Sequence, residues 1–199
     1  ILRKLPIGIQ TFEKLREGDY LYVDKTALVW RIASTETPYF LSRPRRFGKS
    51  LLLSTFEAYF EGKKNLFEGL AIADMEKEWK TYPVFHLDLN AEKYDSPQAL
   101  VEILSRQLTQ WELKYGKGED EETLSGRFAG VIRRACEQSG RGVVVLVDEY
   151  DKPLLQALGD DALLDDYRKT LKAFYGVLKS SDRYLRFVFL TGVTKFAQV

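Results

Sequence analysis

The six-residue run GVVVLV, residues 142–147, limits the fold of this chain more than any other feature of its sequence. Its valines are β-branched and no polar residue alternates with them, which is typical of a parallel strand buried on both faces. Three further apolar runs, PYFLSR (38–43), PVFHLDL (83–89) and YLRFVFL (184–190), alternate with segments of helical periodicity. Because parallel strands need crossover helices, the pattern predicts an α/β sandwich with a mainly parallel sheet.

The helical segments carry apolar residues at spacings of three and four. One follows the first strand, from Lys49 to about Gly62. The others are predicted from Leu100, Ile103, Leu104, Leu108 and Trp111, from Phe128, Val131, Ile132, Ala135 and Cys136, and from Leu163, Leu164, Tyr167, Leu171, Phe174 and Leu178. Cys136, the only cysteine, is predicted to lie in the core, and the charged residues 114–122 are predicted to form an exposed loop.

Composition excludes several classes of protein. A chain of 199 residues that is 45% hydrophobic can bury a sizeable core, and we expect one domain, 38–199, with an N-terminal extension, 1–37. Thirty basic and 29 acidic residues give a net charge of +1, so no chain-wide charge favours nucleic acid or an anionic membrane. No apolar run is long enough to span a membrane, and a single cysteine fits a reducing cytoplasm.

A phosphate-binding loop is predicted in RPRRFGKS, residues 43–50, between the first strand and its helix. Gly48 lets the backbone approach a phosphate, Lys49 neutralises charge from a loop outside the core, and the Ser50 hydroxyl ligates Mg²⁺. Arg43 stands where the usual G-x-x-x-x-G-K-[ST] pattern has its first glycine, which implies an altered loop shape. The candidate nucleotide contacts are Arg43, Pro44, Arg45, Arg46, Phe47, Gly48, Lys49, Ser50 and Leu51.

A second motif, VVVLVDEYD (143–151), places two carboxylates at the end of the buried strand, where α/β sheets bind ligands. Asp148 is the candidate to hold Mg²⁺ through water, and Glu149 is the candidate general base. A degenerate G-K-S loop alone is a weak signal, and a solvated acidic turn would explain the carboxylates alone. Neither explanation accounts for both motifs in this order, each after an apolar strand.

Other polar residues are weighed separately. In nucleotidases with a catalytic glutamate, the strand between the two motif strands carries a polar sensor of the γ-phosphate. Thr191 is the first candidate and Thr194 the alternate, although a threonine that merely ends a strand explains the local sequence equally well. Arg43, Arg45 and Arg46 can neutralise a triphosphate, reach across a subunit contact, touch nucleic-acid phosphates or form ordinary ion pairs. His86 is predicted to be a packed or hydrogen-bonded core histidine.

The segments LPIGIQTFEKLREGDYLYVDKTALV, RPRRFGKSLLLSTFEAYF, NLFEGL, YPVFHLDLN and VVVLVDEYDKPL resemble the successive signatures of the AAA-ATPase-like family. These are bacterial and archaeal P-loop proteins that often carry a C-terminal nuclease-like domain of the PD-(D/E)xK type. In that family RPRRFGKS is the usual phosphate loop, so the resemblance makes Arg43 a family feature. It also implies a three-layer P-loop NTPase sandwich of the additional-strand, catalytic-glutamate type that lacks its C-terminal part here. YVDKT (22–26) is then expected near the nucleotide base, or Asp24 simply caps the next helix.

The resulting expectation is Mg²⁺-dependent binding of ATP and its hydrolysis to ADP, with Lys49, Glu149 and Thr191 as catalytic residues, coupled to an attached effector domain. One alternative is a nucleotide-controlled binding module with little turnover. Another is a nuclease accessory that contacts nucleic acid through basic loops or a downstream domain. Glu149 favours hydrolysis over the binding module, and the balanced charge argues against the accessory role for these residues alone.

Overall fold

The computed structural model describes residues 2–35, 37–42, 48–90 and 93–194. Its helices are α1 (Phe12–Glu17), α2 (Thr26–Ala33), α3 (Lys49–Phe60), α4 (Ala71–Met75), α5 (Pro97–Tyr115), α6 (Leu124–Ser139), α7 (Lys152–Gln156) and α8 (Asp161–Ser180). Its strands are β1 (Tyr39–Ser42), β2 (Val84–Asp88), β3 (Val143–Asp148) and β4 (Leu185–Gly192). Short 3₁₀ helices span Lys64–Phe67 and Asp182–Tyr184.

The four strands form one parallel sheet in the order β1-β4-β3-β2. All residues of β3 are buried, as its continuous apolar run predicts. The α/β sandwich with a parallel sheet is therefore confirmed, and each predicted strand lies within two residues of its expected ends. The order also places β4 between the two strands that precede the candidate motifs, as the additional-strand type requires.

Alternate residues of the sheet face two helical layers. Val143, Val145 and Val147 pack with apolar residues of α5, α6 and α8. Val144 and Leu146 face the opposite side, where α3 and the N-terminal helices supply the partners. This period of two divides the buried side chains into two cores, one on each side of the sheet.

The N-terminal helices pack directly on α3. Phe12 and Val29 are wholly buried in the same core as Leu53, and the Phe12 N–H donates a hydrogen bond of 2.9 Å to Ser54 Oγ. The N-terminal residues thus contribute apolar surface to the layer that carries the phosphate-loop helix. The boundary at residue 37 stays a prediction.

The predicted loop 114–122 starts too early, because α5 continues through Lys114 and Tyr115. The Tyr115 ring packs 5.7 Å from that of Phe85, which gives the last helical turn an apolar contact. Cys136 is half-buried at the edge of the core beside α5, α6 and α8, so its predicted core position is only partly correct. Among the described residues, no helix combines the length and apolar character needed to cross a membrane.

His86 is packed and hydrogen-bonded, as predicted. Its Nδ1 lies 2.8 Å from Glu57 Oε2 on α3. Burial disfavours the charged ring, but the hydrogen bond and the negative charge of Glu57 outweigh burial and raise the pKa of His86. This pair ties β2 to α3 on the side of the sheet that faces the phosphate-loop helix.

Candidate functional site

The candidate site lies at the carboxyl edge of the sheet, where β1, β3 and β4 end beside the start of α3. Gly48 immediately precedes α3 and has a left-handed backbone, with φ of 73°. A side chain would be strained in that conformation, so the backbone geometry itself favours glycine here. Residues 43–47 (Arg43, Pro44, Arg45, Arg46 and Phe47), which the sequence assigns to nucleotide contact, lie outside the described residues.

Two hydroxyl groups converge on Asp148. Ser50 Oγ donates to Asp148 Oδ2 at 2.7 Å, and Thr191 Oγ1 donates to Asp148 Oδ1 at 2.8 Å. Asp148 is only 4% exposed, and both of its carboxylate oxygens are engaged. The contacts join α3, β3 and β4, so three segments distant in sequence meet at one carboxylate.

Lys49 is buried, not placed on a loop outside the core as expected. It is the first residue of α3 and is 4% exposed. Its Nζ lies 3.3 Å from Glu149 Oε1 and donates to the Gly192 carbonyl at 3.3 Å. The burial follows from these long-range partners, because a charged amine leaves water only where anionic or carbonyl oxygens replace its hydration.

Glu149 combines backbone strain with burial. Its φ is 56°, a left-handed value that is uncommon for a residue other than glycine or asparagine. Its N–H donates to Thr191 Oγ1 at 3.3 Å, and its Oε2 has no hydrogen-bond partner among the described residues. Strain together with a buried, unsatisfied carboxylate oxygen is the kind of local cost that marks functional sites.

A cavity of about 500 Å³ is lined by five of the predicted site residues. Its wall is formed by Gly48, Lys49, Ser50, Leu51, Glu149, Asn90 and the N-terminal residues Gly8, Ile9 and Gln10. Asn90 and Gln10 were missed by sequence reasoning. The position of Asn90 just after β2 was a usable signal, because polar residues after parallel strands gather at one edge, whereas nothing local singled out Gln10.

A second cavity of about 530 Å³ adjoins Gly48 and Lys49 and is mainly apolar. Tyr22 and Val23 of the YVDKT segment line it, together with Leu51 and Leu52 of α3. Asp24 instead binds the first residues of α2 and α4. Its carboxylate accepts hydrogen bonds from the N–H groups of Thr26 at 2.9 Å and Ala71 at 2.8 Å. Burial would raise the pKa of Asp24, but these bonds and that of the Thr26 hydroxyl lower it.

The two threonine candidates have different surroundings. Thr191 is wholly buried and contacts Asp148, while the Thr194 hydroxyl donates to Asp151 Oδ2 at 2.7 Å. The structure thus brings Thr191, and not Thr194, to the candidate magnesium carboxylate. In the part of the chain that the structure describes, no cluster of three or more histidine, cysteine, aspartate or glutamate side chains is arranged for a metal ion.

Comparison with known proteins assigns the chain to one family. The family model described as "Predicted AAA-ATPase" matches residues 6–199. A relative from Azotobacter chroococcum mcd 1, described as "Uncharacterized protein in vnfD 5'region", is 43% identical over 198 residues. The alignment covers 99% of this chain but only 38% of that protein, so the chain spans well under half of its relative's length. No solved structure matches the chain.

Proposed function

This chain belongs to the predicted AAA-ATPase family, and from that premise we propose that it binds Mg²⁺–ATP and hydrolyses the bond between the β- and γ-phosphates. The observation that carries the proposal is the meeting of Lys49, Ser50 and Glu149 on one cavity, with Asp148 bonded to Ser50. These side chains supply a cation, an oxygen pair and a free carboxylate oxygen within one site, which is the set that phosphoryl transfer needs.

Ser50 and Asp148 would hold the magnesium ion. Hydroxyl and carboxylate oxygens are the hard ligands that Mg²⁺ prefers, and the ion keeps several waters, so two protein oxygens suffice. Their 2.7 Å contact supports this role, because it places the two oxygens next to each other. When bound, the ion offsets negative charge on the phosphates.

Lys49 and Glu149 separate in the proposed reaction, and each binds a new partner. The Lys49 amine is bonded to Glu149 Oε1 and the Gly192 carbonyl. The phosphate oxygens of ATP carry more negative charge than Glu149 Oε1 or the Gly192 carbonyl oxygen, so they draw the Lys49 amine away. Glu149 is then able to accept a hydrogen bond from water. The water oxygen then bonds to the γ-phosphorus as the bond to the β-phosphate oxygen breaks. Glu149 takes the proton, and ADP and inorganic phosphate leave.

The neighbouring groups complete the proposal. Thr191 orients the γ-phosphate side of the site through its bonds to Asp148 and to the Glu149 N–H. The apolar cavity beside Gly48 accommodates the nucleotide base against Tyr22 and Val23. Arg43, Arg45 and Arg46 add charge toward the triphosphate. We further propose that hydrolysis drives an attached effector region.

Equilibrium binding and single-turnover hydrolysis of Mg²⁺–ATP test this function. Glu149→Gln keeps the shape of the side chain but accepts no proton, so we expect near-normal affinity and hydrolysis slowed about 10²–10⁴-fold. Glu122→Gln, on the exposed loop, is the matched control and should match the wild type.

Three outcomes would argue against the proposal in different ways. Undiminished ATP affinity in folded Lys49→Ala protein would refute the assignment of the nucleotide site. Hydrolysis at the wild-type rate by Glu149→Gln would refute the assignment of Glu149 as general base. Tight ATP binding without turnover in the wild type would favour the nucleotide-controlled binding module.

A further inference from the structure

The second aspartate of the DEYD sequence, Asp151, is wholly buried and holds the chain that follows β4. Its Oδ2 accepts hydrogen bonds from the N–H groups of Val193 at 2.9 Å and Thr194 at 2.7 Å, and from the Thr194 hydroxyl at 2.7 Å. Hydrogen bonds to a charged acceptor are roughly twice as strong as neutral ones. One carboxylate oxygen therefore fixes two successive residues.

Tyr150 holds the same segment from its other side. Its N–H donates to the Thr191 carbonyl at 2.9 Å and its hydroxyl donates to the Thr194 carbonyl at 2.7 Å. Burial raises the pKa of Tyr150 to about 12, so the hydroxyl keeps its proton and remains a donor. Its ring lies so close to Gly192 that an added Cβ would stand 2.1 Å from Cε1.

These bonds are more than the segment needs to satisfy its own polar groups. Val193 is 36% exposed and Thr194 is half-buried, so water can reach this part of the chain. Asp151 is nevertheless wholly buried, and its Oδ1 lacks a hydrogen-bond partner among the described residues. Leaving the buried Oδ1 of Asp151 unsatisfied is costly. The benefit of this arrangement is therefore the rigidity of residues 193 and 194, not a larger number of hydrogen bonds.

The segment that is held in this way supplies two groups of the candidate site. Thr191 Oγ1 bonds to Asp148, and the Gly192 carbonyl accepts from Lys49 Nζ. We propose that Tyr150 and Asp151 form a clamp on residues 191–194 that positions Thr191 and the Gly192 carbonyl for ATP hydrolysis. Both are positioning residues that act through the clamped segment. The inference rests on the proposed function.

The clamp has distinct effects on binding and on turnover. Gly48, Lys49 and Ser50, which would contact the phosphates, belong to α3 or its start and are not held by Asp151. Loosening residues 191–194 should therefore leave ATP affinity within about twofold and slow single-turnover hydrolysis by about 10–100-fold, because small displacements of positioning groups are costly in the transition state.

Tyr150→Phe and Asp151→Asn test the clamp, with Tyr167→Phe as the matched control. The Tyr167 hydroxyl also donates to a backbone carbonyl, that of Ser96, at 2.6 Å, but it lies on α8 and does not touch the clamped segment. Urea unfolding checks that each variant is folded. Phenylalanine keeps the ring and asparagine keeps one acceptor oxygen, so both substitutions remove polar contacts with little change in volume.

Amide hydrogen exchange provides a measurement that needs no nucleotide. Exchange at Val193 and Thr194 should be about tenfold faster in Asp151→Asn, while Tyr167→Phe should leave it unchanged. Unchanged exchange in folded Asp151→Asn would refute the clamp itself. Normal hydrolysis by both clamp variants, or a loss of affinity equal to the loss of rate, would refute the positioning role. Wild-type protein that binds but never hydrolyses ATP would refute the proposed hydrolysis and the positioning role together, and the exchange result would still decide the clamp.

Discussion

Gly192→Ala should destabilise the protein even though the backbone of Gly192 is not in the left-handed region. A Cβ at this position would lie 2.1 Å from Tyr150 Cε1, 2.4 Å from Cδ1 and 2.8 Å from Asp151 Oδ1. Tyr150 is wholly buried, so its ring has no free space into which it can turn. Accommodating the methyl group requires the ring or strand β4 to shift by more than an ångström.

The expected loss is roughly 2–4 kcal/mol of unfolding free energy. Overpacking a rigid core costs about 1–3 kcal/mol. Displacing the ring also breaks the hydrogen bond of 2.7 Å between the Tyr150 hydroxyl and the Thr194 carbonyl, which is worth about 1 kcal/mol. Urea unfolding followed by circular dichroism measures the difference in unfolding free energy between the variant and the wild type, provided that both show the same dependence of this free energy on urea concentration.

Gly176→Ala is the matched control for this substitution. Gly176 lies on the exposed side of α8, and a Cβ there would meet nothing within 4 Å. Alanine is the better helix former, so this variant should be about 1 kcal/mol more stable than the wild type. If Gly192→Ala proved as stable as Gly176→Ala, the close contact of Tyr150 with the strand end would be wrong.

Two further substitutions test ion pairs away from the cavity, one half-buried and one buried. His86→Gln should cost more stability at pH 6 than at pH 9. Because the pKa of His86 is raised in the folded protein, its charged pair with Glu57 is fully stabilising below about pH 6.5, and this stabilisation is lost as the pH rises through the folded-state pKa. An equal loss of unfolding free energy at both pH values in urea would contradict this explanation. Arg127→Met should cost about 3–5 kcal/mol, because Glu112, which accepts from Arg127 Nε at 3.1 Å, stays buried without its partner. Arg127→Met with Glu112→Leu should regain most of that loss by the same measurement, and a double variant as unstable as Arg127→Met would refute the explanation.

The parts of the fold that the sequence predicts well are those decided by local pattern. The valine run of β3 and the periodic faces of α5, α6 and α8 are visible in short windows, and each leads to one structure. The end of α5 was misplaced because Lys114 is polar, whereas the last turn depends on the contact of Tyr115 with Phe85 across the core. Composition alone does not reveal such a distant partner.

At the candidate site, residue types were predictable and their surroundings were not. The spacing of Gly48, Lys49 and Ser50 indicates a phosphate loop, but burial of the Lys49 amine depends on Glu149, one hundred positions later in the chain. The left-handed backbone of Glu149 has no local signature, because glycine or asparagine usually marks that conformation. The motif contains Asp151, but the sequence around it gives no sign of its role, because its hydrogen-bond partners follow β4, more than forty residues later.

The position of β4 bears on how Lys49 and Glu149 can form an ion pair and, in the proposed reaction, separate to face the nucleotide. Lys49 begins α3, the helix that follows β1 in the chain, and Glu149 follows β3, with β4 between the two strands. Neighbouring strands are about 4.8 Å apart, so β1 and β3 lie roughly 10 Å from each other. The Lys49 and Glu149 side chains nevertheless meet, with 3.3 Å between Nζ and Oε1. In the proposed reaction the phosphates would draw the Lys49 amine away from Glu149 and from the Gly192 carbonyl at the end of β4. β4 therefore separates the two motif strands and also ends in the two groups that bond to Asp148 and Lys49, which is why the clamp on residues 191–194 matters to the proposed reaction.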